Sequence, residues 1–207
     1  IGVEDVDQRV GVVASLPTAG ESASPTVAKN AHARITQLCN LAEKGKIAPL
    51  IMVDNEKIKK LYPKLTVKKF WQTINNTVAG LFHVFNVLAN QDSEYTTFDA
   101  TDYDSIMRQS GCMIMGVTTV KNLDDETAIS SALKKNLEKT LLAEGFDLTT
   151  ATGAASIVVG GEEIFEETVG LMDSIEYGFD TLAAITGGAI TVPYTHLTLP
   201  TSETESI

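Results

Sequence analysis

Two pairs of side chains in this 207-residue chain have the types and spacings that chemistry needs. Trp71 and Asn75 stand four positions apart, so on a helix they share a face one turn apart. A flat ring and an amide so placed can stack on a planar base and hydrogen-bond its edge; they equally fit a core Trp and an Asn that caps a neighbouring loop. Asp99 and Asp102 stand three apart within T-F-D-A-T-D, Thr97 to Asp102. Carboxylates at that spacing can position a water or hold a metal-bound phosphate. They equally fit a helix N-cap and first-turn acid ahead of Ser105. His32, His83 and His196 are scattered and supply no metal ligand set, so no metal site is expected from the sequence. No G-x-S-x-G elbow, Walker A loop or G-x-G-x-x-G occurs.

The first pair rides on the strongest pattern in the chain. From Thr66 to Asn90 the apolar positions Val67, Phe70, Trp71, Ile74, Val78, Leu81, Phe82, Phe85 and Leu88 recur at helical spacing. Only Lys68 and Lys69 are charged there, so a helix enclosed on most sides is expected, with His83 a satisfied core residue. Upstream, Arg9 to Leu16 reads as a buried strand, Thr26 to Lys44 as a helix with Val27, Ala31, Ile35, Leu38 and Leu41 inward, and Gly45 as its C-cap. Ala48 to Val53 reads as a second strand, ending in the polar cluster Asp54, Asn55, Glu56. Strand, helix, strand suggests a parallel crossover unit.

Downstream, an irregular acidic stretch from Gln91 to Asp104 leads into a short helix over Ser105 to Ser110. Gly111 to Val120 reads as a strand, Asp124 to Leu142 as an amphipathic helix with Ala128, Leu133, Leu137 and Leu141 inward, and Ala154 to Val159 as a strand ended by Gly160-Gly161. Glu162 to Phe179 reads as one acidic helix, its Glu162, Glu163, Glu166, Glu167 run a solvated face, and Thr181 to Ile185 as the start of another strand. The result is an α/β layer with helices packed on a sheet. The Thr/Ser-rich tail from Tyr194 to Ile207 carries no core signal and reads as a disordered terminus or translated sequencing-adapter read-through.

Composition narrows the partners. Sixteen Lys and Arg against 27 Asp and Glu give a net charge of −11, which argues against holding a nucleic-acid backbone. Cys39 and Cys112, 73 positions apart, suit neither a disulfide framework nor a metal knuckle, and fit a reducing cytosol. The uncharged runs Phe70 to Gln91 and Thr181 to Ser202 carry too many amides and hydroxyls to cross lipid, so no direct membrane insertion is expected. No basic, apolar leader is visible, and the cytoplasm is the expected compartment.

Taken in order, L-I-M-V-D-N-E-K-I (Leu50 to Ile58), the long helix, the Asp99/Asp102 loop and M-R-Q-S-G-C-M-I-M-G (Met107 to Gly116) resemble the tubulin/FtsZ superfamily, and prokaryotic FtsZ-like proteins more than eukaryotic tubulin. The likeness covers roughly residues 10 to 192. It implies the end of a GTP-binding domain over 1–65, a central core helix over 66–90, a catalytic loop and short helix over 91–110, an α+β second domain on a mixed sheet over 111–193, and a tail over 194–207. By residue, Glu21 matches the acid near the nucleotide ribose and Asn55 the Asn that reaches the nucleoside. Trp71 replaces the Phe that stacks on guanine, and Asn75 matches the Asn that reads its edge. Asp99 and Asp102 match the acids of the catalytic N-x-D-x-x-[DE] loop, while Thr97 stands where that motif has Asn, a departure that bears on hydrolysis more than on assembly. The Arg usual after the first-loop acid has no clear counterpart.

The resemblance therefore implies a GTP-dependent filament protein of the FtsZ type acting in cell division, with GTP or GDP bound, Mg2+ in the full-length protein, self-association head to tail, and membrane anchors or division proteins as further partners. The family's phosphate loop G-G-G-T-G-[ST]-G is expected ahead of Ile1, and a last strand beyond Val192, so the chain reads as an internal fragment that binds GTP weakly and is inactive alone. Two alternatives stay open: a divergent family member with slow or no hydrolysis, and a non-enzymatic α/β interaction domain sharing only the fold.

Overall fold

The computed structural model describes residues 10–61, 63–64, 66–90, 98–138 and 145–196. It divides into two compact units, one formed by Ile1–Leu65, Met107–Ile114 and Leu141–Ala143, the other by Thr66–Ile106, Met115–Thr140 and Glu144–Ile207.

The first unit holds β1 (Val12–Leu16), α1 (Ala19–Ser22), α2 (Pro25–Glu43), β2 (Leu50–Asp54) and α3 (Asn55–Leu61). β1 and β2 pair in parallel, Val12 opposite Leu50 through Leu16 opposite Asp54, with α2 in the crossover, as the strand-helix-strand order predicts. Leu50 to Val53 are all buried, the pattern of a strand covered on both faces. Gly45, at φ 63°, ends α2 in a Schellman motif: its N–H donates to Ala42 O at 2.9 Å and that of Lys46 to Leu41 O at 2.8 Å.

Three expectations change in this unit. Val27 and Leu41 are exposed, because α2 meets the core through its last turns, where Leu38, Cys39 and Ala42 pack with Ile47 and Leu50. β1, expected as a buried strand, is only half-buried, with Val13 and Ser15 exposed while Val12, Ala14 and Leu16 turn inward; after β2, α3 starts directly at Asn55, with Asp54 Oδ1 accepting from Lys57 N at 2.9 Å. Gly111 to Val120 is not a strand. Cys112 forms one parallel bridge to Leu50 and Met113 N donates to Leu50 O at 2.8 Å, but the ladder stops there and Val117, Thr118 and Thr119 are exposed.

The second unit holds α4 (Val67–Leu88), α5 (Ala100–Met107), α6 (Ala128–Glu138), a 3-10 turn (Leu148–Thr150), β3 (Gly153–Val159), α7 (Glu162–Glu167), α8 (Leu171–Ile185) and β4 (Ile190–His196). β3 and β4 pair in parallel, Gly153 opposite Ile190 through Val159 opposite His196. Both strand pairs among the described residues are thus parallel, with no antiparallel member of the expected mixed sheet among them. The core gathers Ile129, Leu171 and Ile175 with Leu133, Val158, Phe165 and Phe179. Gly178 lets α8 approach α6 closely, since a Cβ there would lie 2.8 Å from Ile129 Cγ2.

The long helix forms where its periodicity put it, and Thr66 caps it, its Oγ1 accepting from Lys69 N at 3.4 Å. It is not enclosed. Gln72, Asn75, Asn76, Ala79, His83, Asn86 and Asn90 form an exposed stripe, and among the described side chains of α4 only Leu81 and Leu88 are buried. Low charge misled the sequence reading: amides replace charges on the wet face, and Asn86 and Asn90 bond back to the carbonyls of Phe82 and Asn86. His83 is correspondingly exposed and no core residue.

Other boundaries move for local reasons. α5 begins at Ala100, five residues before Ser105, because Asp99 caps it. α6 starts four residues later than expected, behind an Asx turn in which Asp125 Oδ1 accepts from Thr127 N at 2.9 Å; the expected stretch from Lys139 to Leu142 lies outside the described residues. The acidic helix breaks in two at Gly170, φ 79°. Thr181 to Ile185 is the end of α8, not a strand, and β4 runs on to His196, into the segment read as tail.

Candidate functional site

In the first unit, Glu21 belongs to a capping box at α1. Thr18 Oγ1 accepts from Glu21 N at 3.3 Å, while Glu21 Oε2 accepts from Thr18 N at 2.8 Å and from the Thr18 hydroxyl at 3.0 Å, and these last two bonds hold its carboxyl below the usual value. A second carboxylate joins it: Glu56 Oε2 accepts from Ala19 N at 2.9 Å, tying the loop after β1 to the start of α3. Asn55, between β2 and α3, is 4% exposed, and its Oδ1 has no hydrogen-bond partner. A buried amide oxygen left so costs free energy unless something else supplies a donor.

In the second unit, Trp71 and Asn75 both face outward from α4, and the Trp ring is 47% exposed with its edge against Phe70, centroids 5.5 Å apart. Among the described residues Trp71 is thus not packed in a core. At the far end of the helix, Asp99 and Asp102 cap one another: Asp99 Oδ1 accepts from Thr101 N at 2.7 Å and Asp102 N at 2.9 Å, and Asp102 Oδ2 accepts from Asp99 N at 3.2 Å. The N-cap alternative describes this geometry. Hydrogen bonding, first from the Asp102 backbone, lowers the Asp99 pKa and keeps it ionised. Thr97 lies outside the described residues.

Between Trp71 and Leu88 the helix rises roughly 25 Å at 1.5 Å per residue. Leu88 packs with Ala89 and Phe98, the neighbour of Asp99, so α4 holds its aromatic-amide pair and the carboxylate pair at opposite ends. Cavities of about 240 and 380 Å3 lie along α7, the start of α8 and the loop before α6, and none of the candidate residues lines them. Among the described residues no group of three or more His, Cys, Asp or Glu converges as a metal site, and no helix is long and apolar enough to cross a membrane.

The overall arrangement matches solved structures. A GDP-form protofilament of TubZ from Bacillus thuringiensis serovar israelensis superposes with a TM-score of 0.73 at 17% identity, covering 93% of this chain and 50% of that one. The fold is tubulin/FtsZ-like. CetZ2 from Haloferax volcanii, a GTPγS-bound protofilament, matches the same fold with a TM-score of 0.70 at 15% identity, over 95% of this chain and 53% of its own. An empty FtsZ dimer from M. jannaschii matches with 0.55 at 20% identity, over 92% and 51%. No family model and no curated protein sequence matches the chain. The chain spans about half the length of these tubulin/FtsZ-like structures. Sequence reasoning missed Glu56; its only signal was an acid in the first turn of a helix it did not foresee.

Proposed function

We propose that this chain is part of a guanine-nucleotide-dependent protein that assembles head to tail into filaments and hydrolyses GTP between subunits. The observation that carries the reading is the separation along α4, with an exposed ring and amide at one end and a carboxylate pair at the other. Trp71 stacks on the base and Asn75 pairs with its edge. Asn55, whose buried oxygen wants a donor, reaches the nucleoside, and Glu21 lies toward the ribose. The length of α4 keeps Asp99 and Asp102 from the base that the same chain binds, so they serve the nucleotide of the next subunit, a heterologous contact that builds open filaments. Their carboxylate oxygens accept from the attacking water and orient it on the γ-phosphate; the P–O bond to GDP breaks as the water's O–P bond forms, and the water's proton passes to the phosphate oxygens. Asp99, held below the ordinary value by hydrogen bonds led by that from the Asp102 backbone, is a weak base, so its share is orientation and charge more than proton removal. Among the described residues no group of acids or histidines forms a metal centre by itself; Mg2+ bound with the nucleotide in the longer protein would neutralise charge on its phosphates.

Neighbours solved as protofilaments in GDP and GTPγS forms support nucleotide binding and self-association. The biological role we propose is the FtsZ-type one, cell division in the cytoplasm, with membrane anchors or division proteins as partners. A second reading is plasmid segregation, favoured by the higher TM-score of 0.73 to a plasmid-segregation TubZ. Replacing Asp102 with Ala in the longer protein that carries this chain tests the chemistry. GTP binding should persist and turnover should fall at least about 100-fold, the low end for a positioned acid-base group. Unchanged turnover would contradict it, and the 207-residue chain by itself should turn over little or no GTP.

A further inference from the structure

We propose that Tyr103 is a positioning residue for the Asp99–Asp102 pair, its ring locking the first turn of α5 onto Phe85 of α4. This rests on the functional reading above only for its effect on turnover. α5 has eight residues, none of them fully buried, and so short a helix has no stability of its own in water. Its placement must come from side chains that reach a neighbour. Two aromatic rings flank the carboxylates there: Phe98, just ahead of α5, precedes Asp99 and is 1% exposed, and Tyr103 within α5 follows Asp102. The Tyr103 ring lies nearly parallel to that of Phe85, 9° apart with centroids at 6.4 Å, and stands edge-on to Phe98 at 6.0 Å and 70°. Phe98 meets Phe85 edge-on at 6.4 Å and 64°. Each ring thus touches the other two, and such pairs are orientation-selective where aliphatic contacts are not. The backbone completes the link, since Tyr103 N donates to Asp99 O at 3.0 Å.

The hydroxyl takes no part. Tyr103 Oη is buried without a hydrogen-bond partner, and burial pushes its pKa up, so it stays protonated and bonds to nothing. What the site uses is the ring, which makes Phe the conservative replacement and Leu the disruptive one.

The test reads the carboxylates directly. In the 207-residue chain, the side-chain carboxyl of Asp99 is titrated by NMR in wild type, Tyr103→Phe, Tyr103→Leu and Phe85→Leu, with circular dichroism confirming that each variant is folded. Tyr103→Leu and Phe85→Leu should both move the Asp99 pKa back toward the ordinary aspartate value, and Tyr103→Phe should leave it lowered. In the longer protein, Tyr103→Leu should cut kcat for GTP roughly 10-fold or more with KM unchanged, and Tyr103→Phe should restore it. An Asp99 titration unmoved by Leu, one moved equally by Phe, or a turnover change confined to KM overturns the proposal. Wild-type protein without any GTP turnover would instead sink the functional reading, and the titration would still decide the role of Tyr103.

Discussion

The Glu56 carboxylate accepts a hydrogen bond from the Ala19 backbone N–H at 2.9 Å, across 37 positions of sequence. The bond ties the loop that carries Glu21 to the helix that begins with Asn55, so two candidate nucleotide contacts share one frame. Removing it should loosen the loop before it unfolds the unit. Glu56→Ala should cost about 0.5–2 kcal/mol, the range for a lost helix cap. Amide exchange at Ala19 and Glu21 should quicken more than at Leu50 to Val53, and equal protection in both segments would contradict the link.

Four exposed carboxyls are held below their ordinary values of 4.5 for Glu21 and 3.8 for Asp99, Asp125 and Asp147 by hydrogen bonds from Thr18, Asp102, Thr127 and Thr149, respectively. In each the bonded form is the ionised one, so the folded chain binds fewer protons than the unfolded chain at the same pH. Their stabilisation is complete above the ordinary values and lost as pH falls through the folded ones. The melting temperature should therefore drop below about pH 4. Asn in place of Asp125 and Asp147 keeps an acceptor and removes the titration, so the double variant should lose less on acidification; an identical acid slope would contradict this.

Cys112 shows the opposite sign. Burial first, then the neighbouring Cys39 and Glu43, push its pKa from 9.0 up to about 11. The folded state favours the thiol, so this contribution to stability is full below pH 9.0 and disappears as pH rises toward about 11. Mass-spectrometric labelling with a maleimide should be slow at Cys112 near neutral pH and accelerate only above about pH 9, because the thiolate is the nucleophile. Fast labelling at neutral pH would contradict the burial of that sulfur.

Where the sequence was legible, a regular hydrophobic period met a real face. Val67 to Leu88 announced a helix by apolar spacing and Thr66 its start, while Leu50 to Val53 announced a strand by unbroken apolar character and Val12 to Leu16 one by its β-branched residues, though Val13 and Ser15 there are exposed. The first parallel pair follows from the helix between its strands; the second pairs β3 with a strand at Ile190–His196 that the sequence reading did not place. What stayed hidden depended on partners distant in sequence. Cys39 and Cys112 looked unrelated at 73 positions apart, yet both pack on Ala42, Ile47 and Leu50. Gly111 to Val120 had a strand's composition but only Leu50 as a bridge partner. Asp99 was read both as a chemical group and as an N-cap, and the capping box gives it the second role.

The claim at the centre of the account is that the carboxylates act on a neighbour's nucleotide. Mixing two crippled versions of the longer protein tests it: Asp102→Ala, with its base contacts intact, and a Trp71→Ala, Asn75→Ala double variant, with its acids intact. Each alone should turn over little GTP. Once co-sedimentation places both in the same filaments, an equimolar mixture should recover about a quarter of wild-type turnover, because a random head-to-tail contact joins a sound base site to a sound acid pair that often. A mixture no more active than its components would contradict the account.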